Sequence, residues 1–310
     1  MVIRESDVFG FQGQGTQEVG MGAELLEEHP EARDVFDEAD EETLRLTGRR
    51  ISEICRDGPK ELLDRHSQLA IFVLSAAAVA VLYKKGRLPK AVTGHSMGEY
   101  SALFAAGAFG LRKGIEIIHE RQNAMDQANA QINGGGAMIV INGLTEQERQ
   151  ALAKEFDVDV AVINTDDQGV LSGPKDRIDG VGQLLEDRAG VKGRVLDIGG
   201  AAHSRWNALA GRIMEGVLKD IEIKKPKYTF FANSARIISD PEELREHLVS
   251  MHVDPVRFRD VSTEMARRGM KTFTEVGKRR ILSKFITKTV GDNVAIQPME
   301  SLLSETTEKQ

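Results

Sequence analysis

Very little in this chain could cross-link it, anchor it in a bilayer or stack it on a nucleic acid. Its 310 residues include a single cysteine, Cys55, which excludes an internal disulfide and fits a reducing compartment. Aromatic residues make up 5% of the chain, too few for a base-stacking surface. There is no basic block, and the net charge of −7 comes from both signs mixed along the sequence, so no nucleic-acid partner is expected. No apolar run reaches the length of a membrane span. The longest candidate, residues 69–83, is short and flanked by charge. Residues 1–7 carry no apolar signal core and lead straight into a strand. These absences predict a cytoplasmic protein with no membrane partner. The hydrophobic share of 41% supports a sizeable core, in one large domain or two of ordinary size.

The stretch that organises the rest is Thr93-Gly94-His95-Ser96-Met97-Gly98-Glu99-Tyr100. It has the G-x-S-x-G spacing of a nucleophile elbow. An apolar run over residues 91–93 precedes it and a small-residue helical stretch over 101–108 follows, which is the strand–turn–helix setting that the motif requires. Glycines flank the serine because the turn leaves no room for side chains there. Ser96 is thereby presented at the tip of the turn, at the positive end of the following helix. A serine so placed can attack an acyl carbonyl, and the Met97 N–H can help hold the oxyanion.

Before the elbow, a strand at 8–11 leads into the Gly/Gln loop Gln12-Gly13-Gln14-Gly15-Thr16-Gln17. The loop has neither Walker nor dinucleotide-binding spacing. Residues 68–85 are apolar on nearly every side and predict a core helix. Residues 112–131 predict a long amphipathic helix with Arg121 in its middle. After Gly134-Gly135-Gly136 the pattern changes to strand 137–142, helix 145–156, strands 158–163 and 169–172, helix 174–188 and strand 193–198. Thr145 and Glu148 stand at capping-box spacing. This β-α-β-β-α-β order is that of a ferredoxin-like unit, and it ends at Gly199-Gly200. The expected fold is α/β: a large domain over 1–133 and 199–310, with a small inserted subdomain over 134–198. The large domain resumes with a helix over 201–218, beside His203. Further helices are expected at 241–251, 261–268 and 281–289, strands at 228–231 and 272–275, and a frayed polar tail from 304.

A serine nucleophile needs a base. His29, His119 and His247 sit in charged helical stretches and read as surface residues. His66 and His252 lie near helix ends with nothing to single them out. His95 adjoins Ser96, but neighbours on such a turn point different ways, so it reads as structural. His203 follows a Gly-Gly-Ala-Ala loop just outside the inserted unit, where a loop can place it over the elbow, and is the candidate base. No single aspartate between Ser96 and His203 stands out as a triad acid.

Together these pieces resemble the malonyl-CoA:acyl-carrier-protein transacylases and the acyltransferases of polyketide synthases. The matching residues span nearly the whole chain: Gly13-Gln14-Gly15-Thr16-Gln17, Gln68, the elbow through Tyr100, Arg121, Asn164 with Gln168, Ala202-His203-Ser204, Asp254-Pro255-Val256 and Glu275-Val276-Gly277. The resemblance implies an α/β-hydrolase-like large domain with a ferredoxin-like insertion. It makes Ser96 the acyl-accepting nucleophile and His203 its base, and the N–H groups of Gln14 and Met97 the oxyanion hole. Arg121 becomes the partner of a malonyl carboxylate, a role suited to a guanidinium's paired donors, with Gln68 as a further substrate-binding residue. It implies that a backbone carbonyl, at the position of Met251, orients the histidine. Malonyl-CoA and an acyl carrier protein are the implied partners, and neither metal nor cofactor is needed.

Several positions depart from the family's pattern. Gln12 replaces a usual proline. Lys278-Arg279 replaces a Pro-Gly pair, and Lys278-Arg279-Arg280 is a candidate carrier-docking patch or a solvated loop. Ala202 stands where malonyl-selective polyketide relatives often carry phenylalanine, which widens the expected acyl pocket, so the expected acyl group is malonyl or a larger one that, given Arg121, still carries a carboxylate. The run from Gly200 to Arg205 is more like the free-standing polyketide acyltransferases. Two rival readings are an acyl hydrolase of the same fold, which has no use for Arg121 on uncharged chains, and a silent carrier-docking protein, against which Ser96, His203 and Gln14 argue.

Overall fold

The computed structural model describes residues 6–277 and 279–304. Residues 1–5, Lys278 of the candidate basic patch and the tail from 305 lie outside the described residues. Nine strands form two sheets among the described residues: β1 Val8–Phe11, β2 Ala91–Gly94, β3 Gly136–Asn142, β4 Asp159–Thr165, β5 Gln168–Pro174, β6 Lys192–Val195, β7 Thr229–Phe231, β8 Thr272–Val276 and β9 Ala295–Ile296.

The larger sheet is wholly parallel in the order β7-β2-β1-β8-β9. Its inner strands β1 and β2 are buried at every residue, as expected of parallel strands covered on both faces. The helix Ser67–Lys84 packs into this core. It is the one described helix long and apolar enough to cross a membrane, and 78% of it is buried inside the fold. Its alanines let neighbouring elements approach on all sides, so it needs no polar face.

The smaller sheet is antiparallel in the order β4-β5-β3-β6, the ferredoxin-like arrangement. Alternation along its strands divides the residues between two jobs. Ala137, Ile139 and Ile141 of β3 face the helices Glu146–Glu155 and Lys175–Glu186 and form a separate apolar cluster with Leu171, Ile178 and Val181. Met138 and Val140 face the other way, toward the main core and the cleft. The capping box of Thr145 and Glu148 is formed as expected. The smaller sheet is tied to the segment between the helices Pro241–Ser250 and Phe258–Arg267 by Ile163 N–H to the Val256 carbonyl at 2.8 Å and Val256 N–H to the Ala161 carbonyl at 2.9 Å.

Some expectations need correction. The helix expected over 201–218 starts at Ala208, after a single 3-10 turn Arg205–Asn207. His203 has φ 55°, a left-handed conformation that no right-handed helix includes. Strand 193–198 stops at Val195. Strand β9 and the helix Met299–Ser304 were not anticipated; a two-residue strand is too short to leave a periodic signature.

Candidate active site

The elbow forms where two backbones nearly touch. A Cβ on Gly94 would lie 2.0 Å from the Gly98 carbonyl carbon, and one on Gly98 would lie 2.2 Å from the Phe11 oxygen. Only glycine fits at either place, which accounts for both glycines of the motif. Ser96 between them has φ 52°, a strained conformation for a residue other than glycine and one that recurs at functional sites. The helix Gly98–Ala105 begins directly afterwards.

Ser96 Oγ is 2.7 Å from His203 Nε2. On the other side of the ring, His203 Nδ1 is 3.1 Å from the Asp254 carbonyl oxygen. A carbonyl only accepts, so Nδ1 carries the proton and the Nε2 lone pair faces the serine hydroxyl. Burial, then the nearby Arg121 and His95, push the His203 pKa down to about 4, against the opposing pull of the Asp254 and Met251 carbonyls. The ring is therefore neutral at physiological pH, as a general base must be.

The orienting carbonyl was expected from Met251; the structure assigns the hydrogen bond to Asp254. The chain makes one further turn beyond the helix Pro241–Ser250, with Val253 and Asp254 N–H both donating to the Ser250 carbonyl at 2.9 Å. That turn carries the Asp254 oxygen to the ring, and the Met251 carbonyl makes only the lesser contact. Among the described residues no carboxylate hydrogen-bonds His203.

The Gly/Gln loop lies against the elbow, for a Cβ on Gly13 would meet the His95 carbonyl oxygen at 2.6 Å. Gln14 anchors the loop by donating from Nε2 to Ser67 Oγ at 3.0 Å. Among the described residues the N–H groups of Gln14 and Met97 have no backbone partner. Both residues lie beside Ser96, Gln14 on the cleft wall and Met97 as the next residue of the elbow.

Arg121 lies on the helix Leu111–Ala130 and is only 1% exposed. Its guanidinium donates to Gln68 Oε1 and sits 5.7 Å from the centre of the Tyr100 ring. Its Nε has no partner, and no described carboxylate is within ion-pair distance of it. Gln68 in turn donates to Gln122 Oε1 at 2.7 Å. The cleft above Ser96 has a volume of about 310 Å³ and is walled by Ala202, Met125, Met138, Val140 and Val162 among others. None of His29, His66 and His119 lines it.

Three polar arrangements escaped the sequence reading. His95 Nε2 donates to Asn164 Oδ1 at 2.9 Å, Asn164 to Gln168 at 2.9 Å, and Gln168 to Asn142 at 2.9 Å, linking the elbow to the smaller sheet. Gln12 donates to Glu275 Oε1 at 2.6 Å and to the Arg279 carbonyl, so two departures from the family pattern meet in space. Glu275 also accepts the N–H groups of Ile281, Leu282 and Ser283, which open the helix Leu282–Val290. Finally, His247 is not a surface residue. It is 8% exposed and paired with Glu99. Leu244, His247, Leu248 and Met251 fall at the i, i+3, i+4, i+7 spacing of a buried stripe, which was the available signal.

A serine at a strained elbow, a neutral histidine that can take its proton, and a buried cation whose charge acts on that histidine make up an acyl-transfer centre of the serine–histidine class. The chain belongs to the acyl transferase domain family, whose sequence profile matches residues 8–304. It is 32% identical over 288 residues to the malonyl CoA-acyl carrier protein transacylase of Bacillus subtilis (strain 168), covering 90% of this chain and 89% of that one. It is 31% identical to a polyketide-biosynthesis malonyl CoA-acyl carrier protein transacylase of the same organism, covering 92% and 98%. Among solved structures it superposes with a TM-score of 0.89 on the malonyl CoA-acyl carrier protein transacylase of Coxiella burnetii, at 26% identity over 98% of this chain and 97% of that one. It gives the same TM-score, at 27% identity over 98% and 100%, with a malonyl-transacylase solved in complex with its type II polyketide acyl-carrier protein.

Proposed function

We propose that this enzyme moves a malonyl group from coenzyme A to the phosphopantetheine thiol of an acyl carrier protein, in the cytoplasm, through an ester on Ser96. The observation that supports the reading is Arg121, a buried guanidinium whose charge acts on His203 and which has no described carboxylate within ion-pair distance. A malonyl carboxylate supplies the missing anion through two parallel hydrogen bonds.

In the first half-reaction the Ser96 hydroxyl gives its proton to His203 Nε2 as Oγ attacks the thioester carbonyl. The oxyanion is held by the Met97 and Gln14 N–H groups. Collapse breaks the carbon–sulfur bond, and the departing coenzyme A thiolate takes the proton from His203. In the second half-reaction the carrier's thiol gives its proton to His203 and attacks the ester carbonyl. Ser96 leaves as its hydroxyl, reprotonated by His203. Both steps balance without a metal or an organic cofactor. The same residues would serve a hydrolase if water entered the second step; the buried Arg121 favours a carboxylated acyl group over the uncharged chains of such an enzyme.

The test is intact-mass spectrometry of the enzyme with malonyl-CoA, and in parallel with acetyl-CoA, before and after adding phosphopantetheinylated carrier protein. A malonyl adduct on Ser96 that passes to the carrier is the expected result. An adduct lost to water, or formed faster from acetyl-CoA, would overturn the assignment.

A further inference from the structure

The buried pair Glu99–His247 takes no part in either half-reaction, yet it joins the two elements that set the catalytic geometry. Glu99 lies in the first turn of the elbow helix and is 0% exposed. His247 lies in the last turn of the helix Pro241–Ser250. Its Nε2 is 3.0 Å from each of the two Glu99 carboxylate oxygens. The same carboxylate accepts the Asn233 N–H at 2.6 Å, just beyond the end of β7. One carboxylate thus ties together the elbow helix, the segment after β7 and the helix that leads to the base.

From His247 the backbone runs without a break to the acceptor of the base. The Met251 N–H donates to the His247 carbonyl at 2.9 Å, and the Asp254 N–H donates to the Ser250 carbonyl at 2.9 Å. The Asp254 carbonyl then receives His203 Nδ1–H. A shift of this helix end would move the Asp254 carbonyl, which holds the His203 ring in the tautomer facing Ser96.

We propose that His247 is a positioning residue: bound to Glu99, it holds the Asp254 carbonyl against His203 and so fixes the aim of the base at Ser96. The proposal rests on the Ser96–His203 reading above. Three charged groups act on His247: Glu99 from the elbow helix, Asp254 from the turn that follows its own helix, and Arg236 from the segment after β7. Burial favours the neutral ring, but the charge and hydrogen bond of Glu99 outweigh it and raise the His247 pKa. A raised pKa means that the ionic part of the clamp is complete in acid and fades as the pH rises through the His247 pKa.

The test is the rate at which a fluorophosphonate probe labels Ser96, followed from acidic to alkaline pH. The probe needs the serine and its base but no acyl specificity. His247→Gln keeps an N–H for Glu99 but cannot titrate. It should label within about threefold of the unmodified enzyme at neutral pH and should lack that enzyme's alkaline decline. His247→Leu offers no donor. It should label about tenfold more slowly, in the maximal rate rather than the half-saturating probe concentration, still short of the roughly 10²-fold that a 1 Å misplacement can cost. An alkaline decline that persists in His247→Gln would overturn the proposal, and so would full-speed labelling of His247→Leu. If His247→Leu does not fold, the His247→Gln profile alone decides. An unmodified enzyme that is not labelled at Ser96 would overturn the Ser96–His203 reading, and the clamp with it.

Discussion

Replacing Arg121 by methionine separates its work on the substrate from its cost to the fold. The side chain is fully buried, has no described carboxylate within ion-pair distance and leaves its Nε unpartnered. Two charge-assisted hydrogen bonds to a malonyl carboxylate are worth about 1.5–3 kcal/mol each, so their loss amounts to about 3–6 kcal/mol. At 1.36 kcal/mol per decade, kcat/KM for malonyl loading of Ser96 should fall by about 10²–10⁴-fold. Acetyl loading should change by less than about threefold, because an acetyl group has no carboxylate to pair. The assay is acyl-enzyme formation from each thioester, read by rapid quench and intact mass. A second readout comes from the fold itself. A buried cation without an anionic partner is destabilising, and burial already lowers the Arg121 pKa. Arg121→Met should therefore raise the thermal midpoint, by about 2–4 °C for each kcal/mol relieved. Equal losses with malonyl and acetyl, together with a lower midpoint, would show that Arg121 is a structural strut and refute the reasoning.

Further predictions concern the serine, its base and the opening loop. Ser96→Ala should form no acyl-enzyme by intact mass. His203→Ala should slow loading by about 10²–10⁴-fold, as loss of a general base does. The acid limb of kcat/KM, which reports the free enzyme, should lie near the His203 value of about 4. With malonyl bound, the carboxylate offsets the repulsion from Arg121, so the limb of kcat should move to higher pH; with acetyl it should not. The same lowered pKa makes His203 contribute stability that is present above about 6.5 and is lost as the pH falls toward 4, a trend for chemical denaturation across that window. Gln12→Ala removes donors to Glu275 and the Arg279 carbonyl and should cost about 1–3 kcal/mol, seen as a lower denaturation midpoint.

How far the sequence could be read depended on whether a constraint was local. The elbow was legible because its glycines answer contacts with residues close by in the chain and with the adjoining strand. The ferredoxin-like order was legible because alternating strands and a capping box are short-range patterns. The parallel sheet's pairing was not, since β1 meets β8 across most of the chain. Arg121 looked like any helix arginine until the resemblance gave it a task; its burial depends on Tyr100 and Gln68, far away in sequence. His247 was misplaced for the same reason. Its carboxylate partner lies 148 residues away, so a charged helix outweighed the apolar spacing of its neighbours. The exchange of Met251 for Asp254 depended on one extra turn after a helix, and helix ends are the least certain feature of any pattern.

Three of the buried polar atoms left without a hydrogen-bond partner belong to residues grouped around Arg121. Arg121 Nε, Tyr100 Oη and His252 Nε2 are buried without partners. Tyr100 is stacked near Arg121, and Arg121 and His203 both act on His252, which burial already holds well below its ordinary pKa. A scaffold selected for stability alone would replace such groups with apolar ones, since each costs about 1–3 kcal/mol. Beside Ser96 and His203 they have another consequence. An acyl group with a terminal carboxylate can satisfy the guanidinium, whereas an acetyl group or a longer alkyl chain leaves it unpaired in a dry site. Discrimination by an unpaired polar group is far stronger than discrimination by a missing methylene. On the proposed function, selectivity for a carboxylated acyl group would follow from Arg121 itself without a narrow pocket, and a small residue at Ala202 would be compatible with malonyl transfer.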